Sequence, residues 1–253
     1  MRKTVVITGA SSGIGKALAQ ALADKGCHLG LTGRRDDVLA SLQAELLERA
    51  KSANRIDQRI EIAAVDIDEL DSVGTNLHGL FERLGRIDTV VINAGINRFT
   101  KVGAGHFSDE TAIIHTNLLG AMATANAAVE HFCQRGGGHL VGISSLASLQ
   151  PIPSQAAYCA SKAGFSMYLE ALRIEHRENN IQVTQIRPGF VKTDIMDNIE
   201  KYPFAISADA AANEMVKAID SKRADVLVPA RPWRYLRPLF GHLPNSVWKR
   251  LAK

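Results

Sequence analysis

The chain has 253 residues, 46% hydrophobic and 22% charged, with 20 Gly and 8 Pro; this composition suits one soluble globular domain and excludes a disordered protein. Its three cysteines, Cys27, Cys133 and Cys159, lie far apart with no C-x-x-C and no Cys/His cluster at zinc-ligand spacing, which excludes a disulfide framework and predicts a reducing, cytoplasmic setting without a metal. The formal charge of +4 is uneven, because residues 222–253 carry eight basic residues against Asp225 alone and leave residues 1–221 slightly acidic, so a nucleic-acid footprint spread over the domain is disfavoured.

Met1-Arg2-Lys3 leads at once into an extended run and a glycine-rich turn, where a signal peptide would need its apolar region, and no stretch of about 18 apolar residues occurs. In chain order the predicted strands are 4–8, 28–32, 60–65, 89–92, 138–143, 182–186 and 225–228. Amphipathic helical patterns fall between them at 14–25, 36–50, 69–84, 109–134, 155–178 and 208–221. Short β-branched runs alternating with helices predict an α/β fold. It is a doubly wound parallel seven-stranded sheet of Rossmann type with helices on both faces, three layers in all. Residues 1–230 are expected to form that single domain and 231–253 a basic-aromatic extension.

In such a sheet the ligand crevice lies at the carboxyl ends of the strands, so the first strand's exit is informative. It reads Thr8-Gly9-Ala10-Ser11-Ser12-Gly13-Ile14-Gly15, directly before a helix. Glycine allows a tight turn there and lets backbone N–H groups reach a pyrophosphate at the positive end of the helix. Glycine-rich turns also serve geometry alone; the position between the first strand and its helix favours the phosphate role.

The spacing G-x-x-x-G-x-G behind a Thr resembles the short-chain dehydrogenase/reductase family in its compact form of about 250 residues, and the resemblance extends over nearly the whole chain. It implies that Thr8, Gly9, Ser11, Ser12, Gly13, Ile14 and Gly15 bind a nicotinamide dinucleotide. The second strand ends Thr32-Gly33-Arg34-Arg35, with glycine where an NAD enzyme commonly places an acid and two arginines able to meet a 2′-phosphate, so NADP(H) is expected over NAD(H). The alternative is that Arg34 and Arg35 are solvated charges balanced by Asp36 and Asp37. The resemblance also assigns Asp66 and Ile67 to the adenine edge, Asn93, Ala94 and Gly95 to the turn beside the cofactor, and Pro188, Gly189, Val191 and Thr193 to the segment shielding the nicotinamide. Ile92 stands where the family usually has a first Asn.

Tyr158-Cys159-Ala160-Ser161-Lys162 is the most specific feature. A Tyr and a Lys four apart share a helix face, and a phenol titrating near ~10 needs a cation at its side to exchange a proton at neutral pH. By resemblance Tyr158 and Lys162 are catalytic and also touch the cofactor. Ser145, 13 residues before Tyr158, is chosen over Ser144 as the third catalytic residue, and Asn117 in His115-Thr116-Asn117-Leu118 as the fourth.

These residues together imply a carbonyl reductase or alcohol dehydrogenase acting on an apolar ketone, aldehyde or secondary alcohol. The alternatives are a 3-oxoacyl-carrier-protein reductase-like enzyme and a catalytically silent NADP(H)-binding regulator; a sugar-nucleotide epimerase is disfavoured by the glycine spacing. Ser145, Leu146, Phe190 and Met196 are expected in the substrate pocket, under a lid at 194–206. The family implies a homodimer or homotetramer. Residues 231–253 hold both Trp, with Arg231, Arg234 and Arg237 at every third position. That pattern suits a subunit-interface arm, a lid, or a peripheral membrane contact.

Overall fold

The computed structural model describes residues 2–193, 202 and 204–239. Seven parallel strands form the sheet: β1 (Thr4–Thr8), β2 (His28–Gly33), β3 (Ile60–Ala64), β4 (Thr89–Ile92), β5 (Gly138–Ile143), β6 (Ile181–Pro188) and β9 (Asp225–Val228), in the order β3-β2-β1-β4-β5-β6-β9. All five residues of β1 are buried, as are all four of β4. A strand covered on both faces needs such unbroken apolar runs, in contrast to the alternation of a half-exposed strand.

On one face α1 (Gly13–Asp24), α2 (Asp36–Ser52) and α7 (Ala208–Ser221) enclose a core that includes Leu18, Leu22, Leu39, Leu46, Met215 and Ile219. On the other, α3 (Leu70–Leu84), α5 (Ala121–Arg135) and α6 (Ala156–Glu175) supply Leu77, Phe81, Phe132, Phe165 and Leu169 to a second core. The strand order reverses between β1 and β4, and this reversal opens the crevice at their carboxyl ends.

Three features correct the sequence expectations. The helix expected at 109–134 is α4 (Phe107–Ile114), a π-helical turn at His115–Gly120, and α5. The turn sits at tertiary contacts: Gly120 passes the carbonyl of Ile67 so closely that a Cβ would lie 2.6 Å from it, and the Asn117 side chain bonds the backbone of Ile96. Inserted turns of this kind recur at functional sites. Two short strands, β7 (Val191–Lys192) and β8 (Ile206–Ser207), pair beside the sheet. Finally, α8 (Ala230–Leu236), continued by a 3-10 turn at Arg237–Leu239, packs on the domain. Its non-helical Arg231 and the prolines around it hid the helix in the sequence.

Candidate active site

A cavity of about 760 Å³ runs along the carboxyl ends of the strands. Its first wall is built from glycine. Gly9 has φ +66° and passes the chain of β4's exit, where a Cβ would come within 2.7 Å of Ala94 Cα; at Gly15 a Cβ would stand 2.2 Å from the Gly9 carbonyl. Thr8 and Asn93 stitch the two strand exits. The Thr8 hydroxyl accepts from the backbone N–H of Asn93 at 3.1 Å and of Ala94 at 3.2 Å, and Asn93 Nδ2 donates to the carbonyls of Thr8 and Gly9. Gly9, Ser11, Ser12, Gly13 and Ile14 line the cavity, whereas Thr8 and Gly15 do not.

The N-terminus of α1 has no side-chain cap and no acid in its first turn, whereas Ser207 caps α7 by accepting from Ala210 N–H. Uncapped N–H groups beside a glycine cradle suit an anion. Arg34 and Arg35 line the same end; Arg35 Nη2 donates to Ser11 Oγ at 3.0 Å, and Arg34 stands 3.9 Å from Asp68. Asp66 and Ile67 also line it, and Asp66 accepts from the backbone of Asp68.

The chemistry-bearing wall comes from β5 and α6. Ser145 leaves β5 in an extended conformation, and the 3-10 turn Leu146–Ser148 follows; Ser145 Oγ accepts from Ala147 N–H at 3.1 Å, and Ser148 Oγ donates to the Ser145 carbonyl at 2.6 Å. The Ser144 hydroxyl is turned away into the packing of α6, bonded to the Lys162 carbonyl and to Ser166.

Tyr158 and Lys162 occupy successive turns of α6, with Lys162 Nζ 5.9 Å from the Tyr158 ring centre and donating to the Ile143 carbonyl at 3.0 Å. Burial pushes the Tyr158 phenol up, and the Ser145 hydroxyl beside it opposes that shift. Burial also lowers Lys162 from its ordinary value to about 8. Asn117 does not line the cavity. It holds the Ile96 N–H and carbonyl and bonds Ser161, and a Cβ at Gly95 would meet both Asn117 Oδ1, at 3.0 Å, and Lys162 Nζ, at 3.5 Å. A glycine at 95 therefore lets these two side chains stand together.

The remaining wall is less apolar than the sequence suggests. Leu146 and Phe190 line it as expected, with Pro188, Gly189, Val191 and Thr193 nearby, but so do Asn97, Arg98, Phe99, Ile152 and Gln155. Met196 lies outside the described residues, as does most of the expected lid. Behind this wall Arg187 is 6% exposed, and it donates to Asp225 at 3.0 Å, to Ser166 at 3.1 Å and to Ser148. Asp225 accepts a second bond from Arg237 at 2.8 Å. Trp233, 6% exposed, packs with Leu146 and Leu227 and stands edge-on to Phe190 and Phe204; a Cβ at Gly189 would meet its indole at 2.4 Å. Asn97, Gln155 and Arg187 carry no motif that sequence reading could have used. Trp233 was visible only as part of a basic tail.

Taken together, the glycine cradle, the uncapped helix end, the paired arginines and the length of the cavity fit a nicotinamide dinucleotide. Among the described residues no group of three or more His, Cys, Asp or Glu could hold a metal ion, and no helix is long and apolar enough to cross a membrane.

A family model described as short chain dehydrogenase matches residues 3–203. An uncharacterized oxidoreductase of Mycobacterium tuberculosis is 35% identical over 252 residues, covering 99% of this chain and 98% of that protein. A dehydrogenase/reductase SDR family member 7B of Xenopus laevis is 31% identical over 98% of this chain and 81% of its own length. Among solved structures, an alcohol dehydrogenase of Thermococcus sibiricus complexed with 5-hydroxy-NADP superposes with a TM-score of 0.79 at 27% identity, covering 90% of this chain and 96% of that one.

Proposed function

The chain belongs to the short-chain dehydrogenase/reductase family of oxidoreductases acting on alcohol and carbonyl groups, and on that premise we propose that it is an NADP(H)-dependent enzyme interconverting an apolar ketone or aldehyde with its alcohol. The observation that carries this reading is the convergence of Ser145, Tyr158 and Lys162 on the same cavity as the glycine cradle and the Arg34/Arg35 pair. Gly33 leaves no acid at the end of β2, and Arg35 is held by Ser11 at the place where a 2′-phosphate would add two charges. The complex of the Thermococcus alcohol dehydrogenase with 5-hydroxy-NADP points the same way.

A nicotinamide dinucleotide held by the glycine cradle and Arg34/Arg35 would supply the hydride for the carbonyl carbon. Tyr158 gives its phenolic proton to the oxygen on which negative charge develops, and Ser145 Oγ–H donates to that same oxygen, holding it in place. Lys162, charged below about pH 8, stabilises the phenolate left behind. Asn117 fixes the Ile96 turn beside Lys162, and its place as the fourth residue of the site rests on the resemblance to the family. In the oxidative direction the same groups act in reverse, with Tyr158 as base.

Phe107, Met167 and Ile174 are exposed apolar residues on α4 and α6, as a homodimer or homotetramer joined through these helices requires. With Trp233 buried against the substrate wall, the described part of the C-terminal segment acts as a support of that wall, in preference to a membrane contact.

The test is the initial rate of NADPH and of NADH oxidation over a panel of ketones and aldehydes. NADPH is expected to be preferred, and Tyr158→Phe to lower kcat/KM about 10³-fold while cofactor still binds. Retained turnover in that variant would overturn the mechanism, and an NADH preference would overturn the cofactor assignment.

A further inference from the structure

The substrate wall contains a polar pair for which hydride transfer has no use. Asn97 lies two residues beyond the Asn93-Ala94-Gly95 turn, and Gln155 precedes α6, three residues before Tyr158. The two segments are locked together. Thr100 N–H donates to the Ser154 carbonyl at 2.8 Å, Thr100 and Gln155 form an isolated parallel bridge, and Asn97 Nδ2 donates to Gln155 Oε1 at 3.2 Å. Both residues line the same cavity as Ser145, Tyr158 and Lys162, and Gln155 is only 5% exposed.

That one bond leaves the Asn97 oxygen unused. Asn97 Oδ1 is buried and has no hydrogen-bond partner among the described residues. Gln155 accepts from Asn97 through its oxygen, which leaves the amide N–H groups of Gln155 as the donors of the pair. Buried side-chain acceptors are rarely left in the state of Asn97 Oδ1, because the hydrogen bond they lose to water is not replaced. An acceptor on Asn97 and a donor on Gln155, on two residues that line the cavity with Tyr158, match a hydroxyl group, which donates to one and accepts from the other. A purely apolar ketone would instead press carbon against two amides.

We propose that Asn97 and Gln155 form a hydroxyl-recognition subsite, so that the preferred substrate is a hydroxyketone, its hydroxyl one or two carbons from the reacting carbonyl and its remaining chain apolar. The apolar remainder lies along Leu146, Ile152 and Phe190. This rests on the assignment of Ser145 and Tyr158 as the carbonyl-binding groups, because it places the second polar group of the substrate relative to them. Asn97 and Gln155 are specificity-determining residues; neither takes part in the transfer of hydride or proton.

The experiment pairs 1-hydroxy-2-octanone and 4-hydroxy-2-octanone with plain 2-octanone under NADPH, reading kcat/KM for each. In parallel it pairs 1,2-octanediol with 2-octanol, reading binding to the cofactor-loaded protein by calorimetry without turnover. The wild type is expected to favour at least one hydroxyketone by tenfold or more, and the diol by a similar factor. The ratio is expected to fall toward one in Asn97→Leu and, separately, in Gln155→Leu, whatever each does to the absolute rate; circular dichroism identifies a variant that has lost its fold. Reduction of all three ketones with no preference, or equal binding of diol and alcohol, overturns the subsite and leaves the carbonyl reductase reading standing. Selective binding of the diol with no turnover of any ketone supports the subsite and overturns that reading.

Discussion

The cofactor half of the cleft and the substrate half are built on opposite principles. In the first, short turns at strand ends present backbone: Gly9, Gly13 and Gly15 follow β1 directly, Arg34 and Arg35 follow β2, and Asn93 follows β4. In the second, side chains distant in sequence are brought together by packing: Asn97 meets Gln155, Arg187 meets Asp225 and Ser148, and Gly189 meets Trp233. A fixed ligand can be bound by main-chain geometry, which a short motif encodes. A variable ligand is bound by assembled side chains, which no short motif encodes.

The largest effect is expected where backbone is most crowded. Gly15→Ala places a Cβ 2.2 Å from the Gly9 carbonyl and 2.6 Å from Asn93 Nδ2, so the turn must shift. Affinity for NADPH, measured by fluorescence titration, is expected to fall more than 100-fold. Unchanged binding would show that the cradle does not touch the cofactor. Arg34→Ala with Arg35→Ala removes charge and leaves the turn intact. It is expected to raise the KM for NADPH roughly 10- to 100-fold and to leave that for NADH nearly unchanged; an equal loss for both would place the arginines elsewhere than at a 2′-phosphate.

This contrast also decides what could be read from the sequence. All seven strands of the main sheet were legible, because each is a short, mostly apolar run between polar turns, and the Tyr158/Lys162 spacing marks one face of α6. The two serines have different surroundings: the Ser144 hydroxyl is turned into α6, whereas that of Ser145 stands beside Tyr158. The π-helical turn was not legible. Periodicity continues smoothly through residues 109–134, and what interrupts the helix is a tertiary contact, Gly120 against Ile67. The expectation of an apolar pocket failed to foresee Asn97 and Gln155 for the same reason: 58 residues separate them, and nothing local marks either as lining the cavity.

A smaller effect, confined to the substrate half, is expected from Arg187. Its guanidinium holds Ser148, whose hydroxyl holds the Ser145 carbonyl, while Asp225 ties it to Arg237 on the C-terminal turn. Arg187 is therefore a positioning residue for Ser145. Arg187→Met is expected to lower kcat about tenfold with the Kd for NADPH unchanged, and to destabilise the fold by about 3 kcal/mol in urea titration, because a buried ion pair loses one partner. Arg187→Lys cannot bond Asp225, Ser148 and Ser166 from one planar group, and is expected to restore stability more than kcat. If NADPH binding fell with kcat, the two halves would be coupled through β6 and the comparison would fail.

The mildest change needs no mutation. Burial holds Lys162 at about 8 in the folded protein against 10.5 for the free side chain, so the folded state binds fewer protons than the unfolded state between these values. Stability contributed by this group therefore rises as pH increases from about 8 to 10.5, while the charge that supports Tyr158 is lost over the same rise. Reductive kcat/KM for NADPH, which reports the free enzyme's groups, is expected to be flat below pH 7, to reach about half its maximum near pH 8 and to decline above it. Urea midpoints measured on the cofactor-free protein over the same range are expected to drift upward relative to those of Lys162→Met, which lacks the titrating group. Activity and stability moving in opposite directions across one pH window would locate both effects on a single buried ammonium. A profile flat to pH 10 would mean that Lys162 is not the group that supports the phenolate.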